Sequence, residues 1–132
     1  MKTYGTGDRL YVQAQQIWLI LTAISTLKTN YSDLGGGKVT YGDLANLMGK
    51  SSLAGRTLSR QLGIVGYYCL ENNLPALNAI VINKDTGAPG HDVVLTEGNS
   101  LETELTQIRN VNWFKYRAPT ISKLRSVYEE CF

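Results

Sequence analysis

The chain has 132 residues, 43% of them hydrophobic and 18% charged, and a formal net charge of +2. This length fits one domain with its own core, and the composition excludes a disordered chain. One histidine, His91, and two cysteines, Cys69 and Cys131, cannot supply the four ligands of an ordinary Cys/His metal centre, nor a disulfide framework. The longest apolar stretch, Ile17 to Ile24, is far short of the roughly 20 residues that cross a bilayer, and residues 1–16 lack the apolar segment of a signal peptide. The expectation is a soluble, cytoplasmic protein with no membrane partner, no metal and no cofactor.

Charge is small in sum but unevenly placed. Asp85, Asp92, Glu97, Glu102 and Glu104 form an acidic stretch without Lys or Arg. Arg109, Lys115, Arg117, Lys123 and Arg125 follow without an acid, and Lys38, Lys50, Arg56 and Arg60 face only Asp43 between Lys38 and Leu70. Such asymmetry builds a basic face on a nearly neutral protein, or a set of solvated surfaces.

Residues 1–10 read as a loose arm. A helix is expected over about Val12 to Leu27, where Ile17, Trp18, Ile20, Leu21, Ile24 and Leu27 cover most of the circumference and predict burial. Asn30 to Lys38, with Gly35, Gly36 and Gly37, reads as a loop. Thr40 with Asp43 three residues on resembles a capping box and opens a short helix with Leu44, Leu47 and Met48 as its apolar face and Gly49 as its C-cap. Ser51 or Ser52 then caps a second helix, with Ala54, Leu58, Leu62 and Val65 on one face and Arg56 and Arg60 on another. Two short helices joined by a tight glycine-containing turn are the signature of a helix-turn-helix.

Gly63 and Gly66 weaken that second helix by about 1 kcal/mol each, so a break is expected there before it resumes through Tyr67 to Asn72. Pro75 marks a boundary. Leu77 to Asn83 is β-rich, Asn83 to Gly90 is turn chemistry, and Val93 to Leu95 is expected to return as a second strand, making a hairpin wing. Leu101 to Ile108 suits a short helix. Pro119 precedes a last helix, about Thr120 to Glu130, with Ile121, Leu124 and Val127 as its buried stripe.

Catalysis has little to stand on. His91 sits in a Pro-Gly-His-Asp turn and reads as a surface residue. Cys69, in an apolar Tyr67-Tyr68-Cys69-Leu70 setting, reads as a buried inert thiol. Gly35-Gly36-Gly37-Lys38 lacks the spacing of a phosphate loop. The basic helix is better supported, because a helix-turn-helix presents its second helix to DNA and arginine grips phosphates or guanine edges. The Trp113-Phe114-Lys115-Tyr116-Arg117 run suits either base stacking with phosphate contacts or an aromatic strand packed on the first helix.

Gln15-Gln16-Ile17-Trp18, Val39-Thr40-Tyr41-Gly42-Asp43-Leu44-Ala45, Gly49, Ala54-Gly55-Arg56, Asn73-Leu74-Pro75 and Val81-Ile82-Asn83 occur in that order. The series resembles the DNA-binding domain of the alkylguanine DNA alkyltransferases and their non-catalytic alkyltransferase-like relatives, over about residues 13–90. The Thr-Tyr-Gly-Asp-Leu-Ala run is its most specific piece. The resemblance implies a winged helix-turn-helix that grips DNA from the minor groove and flips out a base, an event that costs a few kcal/mol. It implies that Tyr41 presses on the phosphate beside the flipped nucleotide and that Arg56 fills the gap in the stack. The family's Pro-Cys-His-Arg-Val element is absent. Aligned on Val81-Ile82-Asn83, its cysteine, histidine and arginine fall at Asn78, Ala79 and Ile80; aligned on Pro75, its cysteine falls at Ala76. With no thiolate there, alkyl transfer is not expected. Residues 63–70 are an extra stretch, and the tail from Leu95 has no counterpart in the family.

The expected architecture is therefore an α+β winged helix-turn-helix in one domain, 1–132, with the arm at 1–10, the alkyltransferase-like part at 12–95 and a C-terminal helical extension at 96–132. In the first functional reading the chain is a non-catalytic module for double-stranded DNA, recognising distorted or modified duplex. Lys38, Tyr41, Ser51, Ser52, Arg56 and Arg60 hold backbone and groove, Asn78 lines what remains of the base pocket, and Lys115 and Arg117 extend the basic surface. The alternative is a protein-interaction module, an inhibitor, immunity or accessory factor on a former DNA-binding scaffold. It is motivated by the lost pocket residues and by the acidic stretch that begins in the expected wing.

Overall fold

The computed structural model describes residues 1–27 and 37–132. Among the described residues, five α-helices and one pair of short strands follow in the order α1 (Arg9–Leu27), β1 (Val39–Thr40), α2 (Tyr41–Leu47), α3 (Ser59–Glu71), β2 (Val81–Ile82), α4 (Leu101–Asn110) and α5 (Ile121–Cys131). The class is α+β. Of the loop expected over Asn30 to Lys38, residues 30–36 lie outside the described residues. No helix among the described residues is long and apolar enough to cross a membrane.

Helix α1 is the central element. Ala14, Ile17, Trp18, Leu21 and Ile24 are buried, while Gln16 and Leu19 stay exposed, so one strip of the helix faces solvent. Trp18 lies edge-on to Trp113 at 5.7 Å between ring centres and beside Tyr68 at 5.4 Å. Aromatic pairs at such distances add to the roughly 1.5–3 kcal/mol that burial of each large side chain contributes. The helix begins three residues ahead of the expected Val12, behind a 3-10 turn at Thr6–Asp8, and Asp8 pairs with Arg125 of α5. The Trp113 run forms no strand: Trp113–Lys115 is a 3-10 turn whose buried Trp113 packs on α1 and donates its indole N–H to the Ile108 carbonyl at 3.0 Å.

The Thr40 cap comes out as the sequence predicts, whereas Ser51 caps the 3-10 turn at Ser52–Thr57 and α3 starts after Leu58 with no side-chain cap; α4 and α5 carry caps the sequence reading did not name. Thr40 Oγ1 accepts from the Asp43 amide at 3.0 Å, Ser100 caps α4, and Thr120 caps α5. Each is worth about 1 kcal/mol. Of the expected stripe on α5, Leu124 and Val127 are fully buried and Ile121 is half-buried. On α2 the buried side chains are Leu44 and Ala45; Leu47, expected inside, is exposed.

Three expectations are corrected. The second helix of the expected pair is two elements, a 3-10 turn at Ser52–Thr57 and then α3, so Arg56 and Arg60 do not share one helix face. Helix α3 does not break at its glycines. Gly63 and Gly66 are where other parts of the chain come closest: a Cβ on Gly63 would lie 2.8 Å from the Phe132 ring, and one on Gly66 would lie 2.8 Å from Val94 and 2.9 Å from Asn78. Tertiary packing here outweighs helix propensity. The hairpin wing is absent, because Val93 to Leu95 forms no strand and Leu77–Ile80 is a 3-10 turn. Instead β2 pairs in parallel with β1, Val39 opposite Val81 and Thr40 opposite Ile82. Both strands are buried among core side chains, where a two-residue pair keeps its hydrogen bonds away from water.

Candidate nucleic-acid interface

The parallel pairing decides where the site lies. Both strands run the same way, so Tyr41 and Asn83, the residues that follow them, emerge side by side. A cleft of about 570 Å³ opens there. One wall is the start of α2 with the 3-10 turn, carrying Tyr41, Asp43, Ser52 and Arg56; the other is the 83–92 loop, carrying Asn83, Lys84, His91 and Asp92.

Two glycines let the first wall close up. A Cβ on Gly55 would lie 2.7 Å from the carbonyl carbon and oxygen of Tyr41, and one on Gly42 would lie 3.3 Å from Ser52 Cβ. The turn bearing Arg56 therefore rests directly on the backbone of Tyr41. The second wall is held by its own turn chemistry. Asn83 Oδ1 accepts from the Asp85 amide, the Asn83 carbonyl accepts from Gly87, and the Asn83 amide donates to the Ala88 carbonyl, each at 2.8 Å. Gly87 adopts φ +69°, which glycine takes without strain. The walls are joined by one hydrogen bond: the Gly90 amide donates to the Tyr41 hydroxyl at 2.8 Å. The phenolic oxygen is thereby oriented and its own proton remains available to an acceptor in the cleft.

The cleft gathers Tyr41, Ser52 and Arg56 but not the other sequence candidates. Ser51 is exposed and caps the 3-10 turn through the Leu53 amide at 3.3 Å. Arg60 is exposed on the first turn of α3, and Lys38 is half-buried ahead of β1. Lys115 and Arg117 are exposed at and beyond the Trp113 turn, and neither lines the cleft. Asn78 is 4% exposed, and its Oδ1 has no hydrogen-bond partner among the described residues. It borders a separate hollow of about 10 Å³ with Tyr41, Ser59 and Asp92, room for one water and no base.

Sequence reasoning missed the second wall. Turn chemistry predicts that 83–90 is compact, but nothing local says that it folds back onto Tyr41. Among the described residues the ion pairs are Lys123 with Glu71 and Arg125 with Asp8, so Arg56 and Lys84 have no carboxylate within 4 Å among them. The Cys69 thiol is fully buried, and burial pushes it up to about 12, which removes it as a nucleophile at neutral pH. Glu104, one of the acidic stretch in the sequence, is fully buried and accepts from the amides of Thr96 and Ala76 and from Asn99 Nδ2.

No protein-family model, no curated protein and no solved structure matches the chain.

Proposed function

We propose that the chain is a non-catalytic DNA-binding module of the alkyltransferase-like kind, in which the compact 83–92 loop stands where a wing would be. The observation that carries this is the meeting of Tyr41, Ser52 and Arg56 in one cleft. The resemblance singles out Tyr41 and Arg56, which are distant in sequence. The cleft offers a guanidinium without a carboxylate partner among the described residues and a hydroxyl proton free to donate, which is what a phosphodiester requires. A preference for distorted or modified duplex belongs to this reading. The hollow at Asn78 is too small for a base, so an everted nucleotide would occupy the open cleft.

Fluorescence anisotropy of a labelled duplex across a salt series tests the proposal, with matched, mismatched and alkylated DNA. Each phosphate contact contributes about 0.9 to the slope of log affinity against log salt. Replacing both arginines (Arg56→Ala with Arg60→Ala) is expected to lower that slope by about 0.9 through Arg56, which lines the cleft, and by up to about 0.9 more through Arg60, exposed on the first turn of α3, and to weaken binding at every sequence. Unchanged affinity in that double variant refutes the proposed site.

The protein-interaction reading rests on a different observation: Leu53, 76% exposed, stands on the same 3-10 turn, with Asp43 and Asp92 in the cleft lining. An exposed apolar side chain beside acids suits a protein partner better than a phosphate. Absence of DNA binding even at low salt would select this reading.

A further inference from the structure

The geometry points to a second jaw. On the reading just given, the 83–92 loop grips the same stretch of DNA backbone from the side opposite Arg56, with Lys84 as its phosphate contact, His91 as an added donor, and Tyr41 as the strut that sets the spacing between the jaws. Three observations carry this. Lys84 and His91 line the cleft that Arg56 and Ser52 line from the other wall. Lys84 has no carboxylate within 4 Å among the described residues, so its ammonium is not already neutralised. The loop is a preformed unit, closed on itself by the Asn83, Gly87 and Ala88 bonds, and tied to the opposite wall through the Gly90 amide and the Tyr41 hydroxyl. A Cβ at residue 90 would lie 3.1 Å from that hydroxyl and 3.0 Å from Asp92, so glycine lets the loop approach this closely.

Asp85 and Asp92 flank Lys84 and His91, and taken alone an acidic loop repels phosphate. Placement reverses that inference for part of the loop. Asp85 gives its amide to Asn83 Oδ1 and does not line the cleft, whereas Lys84 does. Asp92 does line it, with its carboxylate beside Gly90 where the loop meets Tyr41, so the phosphate contacts are assigned to Lys84 and Arg56 and not to that junction.

The test is anisotropy with the full-length chain and a duplex of about 20 base pairs, comparing Lys84→Ala with Lys2→Ala, an equal charge change on the exposed arm. One lost phosphate contact lowers the salt slope by about 0.9, which corresponds to about eightfold weaker binding at 0.1 M salt relative to a 1 M reference. That loss is expected for Lys84→Ala, and less than about twofold for Lys2→Ala. Tyr41→Phe removes the oxygen that accepts from Gly90. If Tyr41 positions the loop, the Lys84→Ala effect shrinks to under about twofold in the Tyr41→Phe background, a coupling that independent contacts would not show. If Lys84→Ala behaves like Lys2→Ala while the Arg56 and Arg60 double variant still weakens binding, the second jaw is refuted and the DNA-binding reading stands. If the parent chain does not bind DNA, both fall. An undiminished Lys84→Ala effect in Tyr41→Phe overturns the strut.

Discussion

Adding a methyl group at Gly55 tests how the cleft wall is built. The new Cβ would meet the Tyr41 carbonyl carbon and oxygen at 2.7 Å and the Gly42 nitrogen at 3.0 Å. Ordinary contacts lie at about 3.5–4 Å, so three backbone atoms are overlapped by about half an ångström or more. None of them moves cheaply. Tyr41 and Gly42 form the first turn of a helix fixed by the Thr40 cap and by strand β1, and the Gly55 carbonyl accepts from the Leu58 amide at 3.3 Å. Overpacking in a close-packed region costs about 1–3 kcal/mol, and a clash with pinned backbone on both sides belongs at the upper end, about 3 kcal/mol. Gly63→Ala is the matched control. Its Cβ meets an atom at nearly the same distance, 2.8 Å, but that atom is the tip of the Phe132 ring, on a side chain 56% exposed and able to swing away. Moving the ring weakens its packing on Tyr67 and Tyr128, while alanine in mid-helix gains about 1 kcal/mol over glycine. The net for Gly63→Ala is expected within about 1 kcal/mol of the parent. Urea unfolding followed by circular dichroism measures both. A Gly55→Ala protein within about 0.5 kcal/mol of the parent would refute the account, as would a Gly63→Ala protein that loses as much as Gly55→Ala.

Glu104→Ala strands the buried Ala76 amide and removes an acceptor from the half-buried Thr96 amide and Asn99 side chain, the latter keeping its bond to Gln107 Oε1, so a loss of about 2 kcal/mol is expected in the same urea assay; a loss under about 0.5 kcal/mol would show that water satisfies them. Thiol labelling at pH 8 is expected to modify Cys131 and spare Cys69 until denaturant is added. The Cys69 thiol also carries a pH signature. Its pKa rises with folding from 9.0 to about 12, so its contribution is fully present below pH 9 and is lost as pH climbs from there toward 12. In that window stability should fall more steeply in the parent than in Cys69→Ala, by up to about 1.4 kcal/mol per pH unit; parallel curves would refute the shift.

What was legible in the sequence was local. Thr40 with Asp43 and Pro119 followed by Thr120 signal helix starts through side chains that reach two or three residues along the chain, and both helices begin there. The Asn83 to Gly90 turn is legible for the same reason. What failed needed knowledge of distant partners. Val93 to Leu95 has strand composition, but Val94 is taken up against Gly66, and β2 pairs with β1 instead. Gly63 and Gly66 look like helix breakers until Phe132, Val94 and Asn78 are brought against them. Glu104 looks like one more surface acid until three donors surround it. Tyr41 and Arg56 were singled out in the sequence through the resemblance, and the structure brings them into one cleft. Lys84 and His91 were not, because their relevance depends on a hydrogen bond between residues 41 and 90.

The two-residue strands have a kinetic meaning out of proportion to their size. Val39 can meet Val81 only after the chain between them closes a loop of about 40 residues, an entropic cost of about 3 kcal/mol that two ladder positions alone cannot offset. The pair must therefore form together with the collapse of α1, α2 and α3 around it, late and cooperatively, and such long-range pairing slows folding relative to a purely helical chain of this length. Tyr41 and Asn83 follow directly from these strands. The ladder amides of the strand pair should exchange with solvent only through opening of the whole domain, whereas the 83–92 loop, including the Asn83 amide held by the Ala88 carbonyl, should exchange by small local openings. The groove is consequently a property of the complete fold: no partly folded intermediate that lacks the strand pair can carry it.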